Sequence, residues 1–222
     1  MRHLLFAAIA AFGFYQSVEA DTFGKVELAP AYVHLDILEQ NKTVQRVDMA
    51  AIRFDGLLVF WDGWCIKPMA MYGKNQAELF SAGIGIGHCI PWECYYLTPS
   101  VGISFTNINT TFKFSHPFGT LEFHEQFRSY SPYISLELTT CFSEDFRISY
   151  LIQWAWARTH THIKHLIDVK GHSSGPNFGV HVEYDVAKCW SVSVAGGYNK
   201  SLSETKDGVR AWGGKVGIER WF

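Results

Sequence analysis

The stretch Phe146-Arg147-Ile148-Ser149-Tyr150-Leu151-Ile152-Gln153-Trp154-Ala155-Trp156 decides the fold. Its even positions are all large and apolar. Its odd positions, Arg147, Ser149, Leu151, Gln153 and Ala155, are mostly small or polar. A period of two belongs to a β-strand, whose side chains point alternately to opposite faces. The alternation returns in Phe178, Val180, Val182, Tyr184 and Val186 against Gly179, His181, Glu183 and Asp185. It returns again in Trp190, Val192, Val194 and Tyr198 against Ser191, Ser193, Ala195 and Asn199. In a soluble sandwich the polar face would be bulky and solvated. Here it is rich in Gly, Ser and Ala, with charges between them, which suits the crowded interior of a closed barrel whose apolar face meets lipid. About ten steps from Phe146 to Trp156, at ~3.3 Å each and tilted by ~40°, climb roughly 25 Å, the height of the apolar band of such barrels. A soluble barrel or sandwich is the competing reading, and it needs the bulky face inside.

Outward from that stretch, alternation and turn residues predict strands over 24–37, 44–60, 64–72, 79–89, 95–107, 131–141, 146–160, 176–187, 190–200 and 209–222. The expected fold is therefore all-β, a closed antiparallel up-and-down transmembrane barrel of ten strands, with eight or twelve as alternatives. Lys67 and Pro68 interrupt the third strand, because proline cannot donate to a ladder. Short connections, such as Trp61–Gly63 and Phe142–Asp145, alternate with longer polar ones, such as 38–45 and 163–174. That alternation predicts a periplasmic end that also carries both chain termini. The segment 108–130 either forms a long loop or extends its neighbours around a turn at Ser115-His116-Pro117-Phe118-Gly119.

The beginning of the chain reads differently. Arg2 and His3 precede an apolar run from Leu4 to Tyr15, and Val18-Glu19-Ala20 supplies a small-residue cleavage site. Residues 1–20 are expected to be a cleaved secretory signal peptide and 21–222 the barrel. No later stretch is long and uncharged enough for a transmembrane helix, which leaves strand crossing untouched. The 222 residues carry a formal charge of −2, so no basic field points to nucleic acid. Aromatics make up 16% of the chain, with 8 Trp, and Trp and Tyr favour membrane interfaces.

The chain ends in Trp221-Phe222, with Val216, Ile218 and Phe222 in alternation. This resembles the terminal signature of bacterial outer-membrane β-barrel proteins, porin-like and chlamydial-type proteins among them. Arg220 stands where an apolar residue is usual. The resemblance implies localisation in the bacterial outer membrane and recognition of Phe222 by the barrel-insertion machinery.

Four groups of residues are candidates for chemistry. Cys65, Cys89, Cys94, Cys141 and Cys189 all fall beside short turns. In an oxidising compartment they are disulfide candidates, with Cys89 and Cys94 flanking one turn, and an odd thiol remains for a disulfide-linked envelope partner. Arg158, His160 and His162 continue the outward face of the 146–156 strand beyond its apolar part, where cations meet lipopolysaccharide phosphates or other lipid headgroups. The His-x-His spacing there lacks a third ligand, so no metal is expected and no cofactor either. His172 and Ser174, with Glu183 on the next strand, are similar in spacing to the residues used by lipid A deacylases of the barrel class, but Glu183 has inward parity. Glu27, Arg53, Asp55, Lys67, Glu137, Arg147, His181, Glu183, Asp185, Lys215 and Glu219 share that inward parity and form a lumen charge network. Such charges either bridge one another or line a narrow pore. Gly83-Ile84-Gly85-Ile86-Gly87 lies within a strand, so it is no dinucleotide motif.

The expected role is structural or surface-interacting, tied to the envelope through periplasmic cysteines, with 108–130 as the contact segment. A narrow porin and a lipid A-modifying enzyme are the alternatives.

Overall fold

The strand-forming alternation runs through nearly the whole chain after residue 22, and the backbone follows it. The computed structural model describes residues 22–75, 77–116, 119–163 and 167–222; the expected signal peptide lies outside them. Eleven strands appear there: β1 (Phe23–Glu39), β2 (Lys42–Phe60), β3 (Trp64–Lys74), β4 (Ala77–His88), β5 (Ile90–Trp92), β6 (Tyr95–His116), β7 (Gly119–Cys141), β8 (Phe146–Ile163), β9 (Ile167–Ala187), β10 (Trp190–Leu202) and β11 (Gly208–Trp221). All pairings are antiparallel between sequence neighbours, except that β1 closes on β11 and β4 pairs with β6. β5 continues β4 in the same register on β6, as Gly87↔Ser100 and Ile90↔Leu97 show. The result is a closed ten-stranded barrel, and closure removes the sheet edges.

Pro68 sits inside β3 without breaking it. It lies against Gly56 of β2, where a Cβ would come within 2.9 Å of the proline ring, so the missing side chain makes room for the ring. At the β1–β2 turn, Gln40 and Asn41 both have positive φ, 48° and 64°, the geometry of a two-residue hairpin turn.

Several stretches expected as long loops are strand. β6 and β7 stay paired from Tyr95↔Thr140 to His116↔Gly119, and β8 and β9 pair as far as Ile163↔Ile167. The hairpin at 115–119 thus extends its neighbours and adds no strands to the barrel. The physical cause is β-propensity: Thr110, Thr111 and Phe112, and across from them Phe123 and Phe127, favour a pleated pair over an irregular loop. The wall is consequently uneven, with 23 residues in β7 and 11 in β3.

The outer surface is apolar between two sets of aromatic residues. At the end away from the termini these include Tyr32, Phe80, Phe105, Tyr130, Trp156 and Trp212. Neighbours touch around the barrel, Phe105 with Tyr130 at 5.0 Å, Phe80 with Phe105 at 6.4 Å and Tyr32 with Trp212 at 5.8 Å. Across this ring the chemistry of the two faces exchanges. Below it on β1, the outward Val26 and Leu28 oppose the inward Lys25 and Glu27. Above it, the outward His34 and Asp36 oppose the inward Val33 and Leu35. The parity is unbroken, so the surroundings change while the register does not.

Candidate functional site

The inward positions near the terminal end carry charge, and barrel closure brings them together from β1, β2, β3, β7, β8, β9 and β11. Lys25 reaches Glu183 at 2.6 Å and Glu219 at 2.9 Å. Arg147 reaches Glu183 at 2.7 Å and also bonds Asp185. Lys215 bridges Glu27 and Asp55, each at 2.5 Å, and Arg53 holds Asp55 through two bonds of 2.7 and 2.8 Å. Lys67 and Glu137 pair across the lumen from β3 to β7. Neutral donors complete the set: Ser193 donates to Glu27 at 2.7 Å, Ser191 to Asp185 at 2.5 Å and the Trp221 indole N–H to Glu183 at 3.1 Å. Burial is deep, with Glu219 at 0% and Glu183 at 4% exposure.

Every lumen residue named from the sequence lies in or beside this network. The sequence reading missed Lys25, Ser191, Ser193 and Trp221. Parity was the available signal, since Lys25 alternates with Glu27 and Trp221 with Glu219. What parity could not give is the partner, because Lys25 and Glu183 are 158 residues apart and meet only when the barrel closes.

Glu27, His181 and Glu219 place one ligand atom each within 4.8 Å of one another, the one such grouping found among the described residues. Lys215 already occupies a Glu27 oxygen and Lys25 a Glu219 oxygen. Those ammonium charges oppose a cation, so the arrangement suits ion pairing better than metal binding.

Above the aromatic ring the lumen fills differently. Leu35, Val47, Met49, Ala77, Leu79 and Ile108 form a buried cluster, with Val33, Met71, Phe127, Val209 and Ala211 packed against it. Met49 is 1% exposed. Seven strands contribute, from β11 round to β7, so the cluster crosses the interior. The small and polar interior read from the alternation thus describes the lower part; the upper part is an apolar core.

The cysteines also depart from expectation. All five are free thiols, and Cys89 does not face Cys94. The continued β4–β5 register sets Cys89 opposite Thr98, whose hydroxyl donates to its sulfur at 3.6 Å. Cys65 is fully buried and lies beside Cys89. Cys94 falls in the turn, where its carbonyl accepts the Cys141 N–H at 2.9 Å, and the Cys189 carbonyl accepts the Trp221 N–H at 3.0 Å.

Arg158, His160 and His162 do project outward above the ring, next to Arg128, Lys170 and His172 on the flanking strands. His172 and Ser174 lie on the same outward parity, whereas Glu183 is held inside by Lys25 and Arg147. These three residues cannot assemble as a triad. The aromatic-rich part of 108–130 belongs largely to side chains outside those described.

No family model matches the sequence, nor does any curated protein. Solved structures do match in fold. The outer membrane protease OmpT of Escherichia coli is 13% identical over 94% of this chain and 99% of its own, with a TM-score of 0.56. The translocator domain of the autotransporter NalP from Neisseria meningitidis is 7% identical over 99% and 94%, with a TM-score of 0.53. An outer membrane channel from Pseudomonas putida F1 is 8% identical over 95% and 98%, with a TM-score of 0.52. A protease, a translocator and a channel share this architecture, so the likeness establishes the outer-membrane β-barrel fold and no single activity.

Proposed function

We propose that the chain is a closed outer-membrane barrel whose role is structural and surface-interacting, with its terminal end in the periplasm. The observation that carries this reading is how the lumen is lined. Among the described residues, ion pairs bridge the half inside the apolar belt and an apolar cluster lines the half above it, an arrangement that opposes a wide water-filled path along the axis. Support for the location comes from the shared fold, the aromatic rings and the secretory-type leader. Phe222 pairs with Gly24 through two backbone bonds of 2.9 and 3.0 Å. The barrel-insertion machinery that reads such an end must release it for the barrel to close.

The thiols extend the proposal. Cys94 and Cys189 are exposed at the terminal end and provide attachment points for a disulfide-linked envelope partner, while buried Cys65 lies inside beside Cys89. The enzyme reading loses its base-orienting carboxylate, since Glu183 is bound inside.

Planar-bilayer recording tests the main reading. The purified chain is expected to give no regular conductance steps. Steps whose size changes with substitutions at Glu183 or Met49 would make it a narrow porin instead. Non-reducing electrophoresis of envelopes tests the attachment: a reductant-sensitive ladder lost in Cys94→Ser/Cys189→Ser is expected, and monomer alone would remove that part.

A further inference from the structure

Two features of the outer wall lie one above the other. The first is cationic. Cross-strand register puts Arg158 beside His172, and in the next row Arg128 beside His160 and His160 beside Lys170. All five have outward parity, two or four residues beyond Tyr130 and Trp156 of the aromatic ring. Arg128, Arg158, Lys170 and His172 are exposed, and no carboxylate among the described residues holds them. Rows of neighbouring strands are ~4.8 Å apart and same-face positions ~6.6 Å apart, so one phosphate group can touch cations of both rows. The opposite flank is built otherwise. Above Tyr32 and Trp212, Arg210 is held by Asp36 at 2.7 Å, Arg46 lies 3.4 Å from the same carboxylate and His34 bonds Asp48 at 2.7 Å. Arg210, Arg46 and His34 on that side thus already face carboxylates.

The second feature is apolar. A shallow groove of about 460 Å³ runs over the lipid-facing side of β4, β6, β7 and β8, lined by Ile84, Val101, Ile103, Pro132, Ile134 and Trp156 among others. Between the outward Val101 and Ile103 the groove rests on the backbone of Gly102, whose missing inward side chain leaves room for the Tyr133 hydroxyl on the lumen side. Trp156 joins the features: it closes the groove and stands two residues before Arg158. An acyl chain in the groove would place its headgroup against the cations.

We propose that this flank, and not the opposite one, is a seat for a phosphorylated, multiply acylated glycolipid of the outer leaflet, with phosphate on Arg128, Arg158, Lys170 and His172 and one acyl chain in the groove. The proposal rests on the outer-membrane placement above but not on the closed lumen, so a conducting barrel would leave it standing. Charge-assisted bonds to phosphate are the strong term, and the groove adds acyl burial.

The test uses delipidated, detergent-folded protein and native mass spectrometry. The probes are bis-phosphorylated acylated glucosamine disaccharide, its dephosphorylated counterpart, the phosphorylated disaccharide without acyl chains, and inorganic phosphate. The acylated bis-phosphate is expected to bind at least about tenfold more tightly than each of the others, the ratio that loss of a single charged hydrogen bond would give. Arg128→Ala/Arg158→Ala/Lys170→Ala should erase the phosphate preference, Trp156→Ala should weaken the acylated probes alone, and Arg46→Ala on the opposite flank should change neither. A preserved mobility shift between boiled and unboiled samples certifies that each variant is folded. Equal affinity for phosphorylated and dephosphorylated lipids would overturn the proposal. So would equal binding of the acyl-free disaccharide, which would make the flank a polysaccharide site, or retention of the preference in the triple variant.

Discussion

The two halves of the lumen are filled by opposite chemistry, and the difference tracks the solvent outside. Within the apolar belt, where the wall meets lipid, the interior holds Lys25, Glu27, Arg147, Glu183 and Glu219 in ion pairs. Above the aromatic ring, where the wall meets water and headgroups, it holds Leu35, Val47, Met49, Leu79 and Ile108 in van der Waals contact. The first half resembles a membrane protein, apolar outside and polar inside. The second resembles a soluble barrel, with its apolar residues sheltered. One set of strands, with one register, serves both because alternation is indifferent to which face is apolar. Stability should therefore come from different terms in the two halves: pairing and desolvation of charge below, burial and packing density above.

The contrast can be broken most strongly from below. Glu183→Ala removes one of the two carboxylates that each of Lys25 and Arg147 holds, leaving Glu219 and Asp185, and should cost about 3 kcal/mol, the low end for a broken buried pair. Urea-dependent folding into lipid vesicles would measure it, and a loss below 1 kcal/mol would mean that water hydrates the network after all. Met49→Ala in the upper half should cost roughly 2 kcal/mol, the low end for such a truncation, because half-buried Val33 and Val209 can settle into the gap. Should the two losses come out equal under the same assay, the halves would not differ as described. A finer test replaces the pair Lys67 and Glu137 together by Met and Leu. Neutrality or a gain of about 1–2 kcal/mol is expected, while either single replacement destabilises. The smallest effect lies at the far rim. Asp207 accepts bonds from Thr205 at 2.6 Å and from the Gln40 N–H at 2.9 Å, which hold its carboxyl below the usual value. A lowered folded-state value means that this link contributes fully above the unfolded value of ~3.9 and fades as pH falls through the folded one. Asp207→Asn should speed amide exchange in the β10–β11 hairpin at neutral pH and make no difference in strong acid.

Much of this architecture was open to reading because it rests on local periodicity. Phe146–Trp156 alone reports strand, spacing and which face is bulky. The ends of β2, β3, β8 and β10 fall within three residues of the positions that alternation and turns predict. Non-local facts were less accessible. Tyr32-Val33-His34-Leu35-Asp36 displays its exchange of faces in the sequence, but reading it as an apolar interior requires knowing where lipid ends, and that level is set by aromatic residues on other strands. The Cys65–Cys89 neighbourship depends on β5 continuing β4 past residue 89. Lys25 lies beside a recognised lumen residue and still escapes notice, since nothing near it in the chain reveals its carboxylates.

The uneven height of the wall has one more consequence. Pairing of β6 with β4 stops at Ala77↔Thr110, and pairing of β9 with β10 stops at Leu202↔Ser174. Beyond those points β6 to β9 rise as a four-stranded blade with two sides, at residues 111–116 and 167–173, that no strand among the described residues pairs. The barrel, which has no sheet edge in the membrane, regains two above it. Each offers a column of backbone donors and acceptors to any strand that arrives, the template by which sheets add chains. On one side Lys170, Gly171 and His172 supply the charge and poor strand propensity that discourage such addition. The other, starting at Thr111-Phe112-Lys113-Phe114, has a single lysine among strand-forming residues. The blade is thus polarised, and a strand approaching its free end would find the β6 side the more receptive.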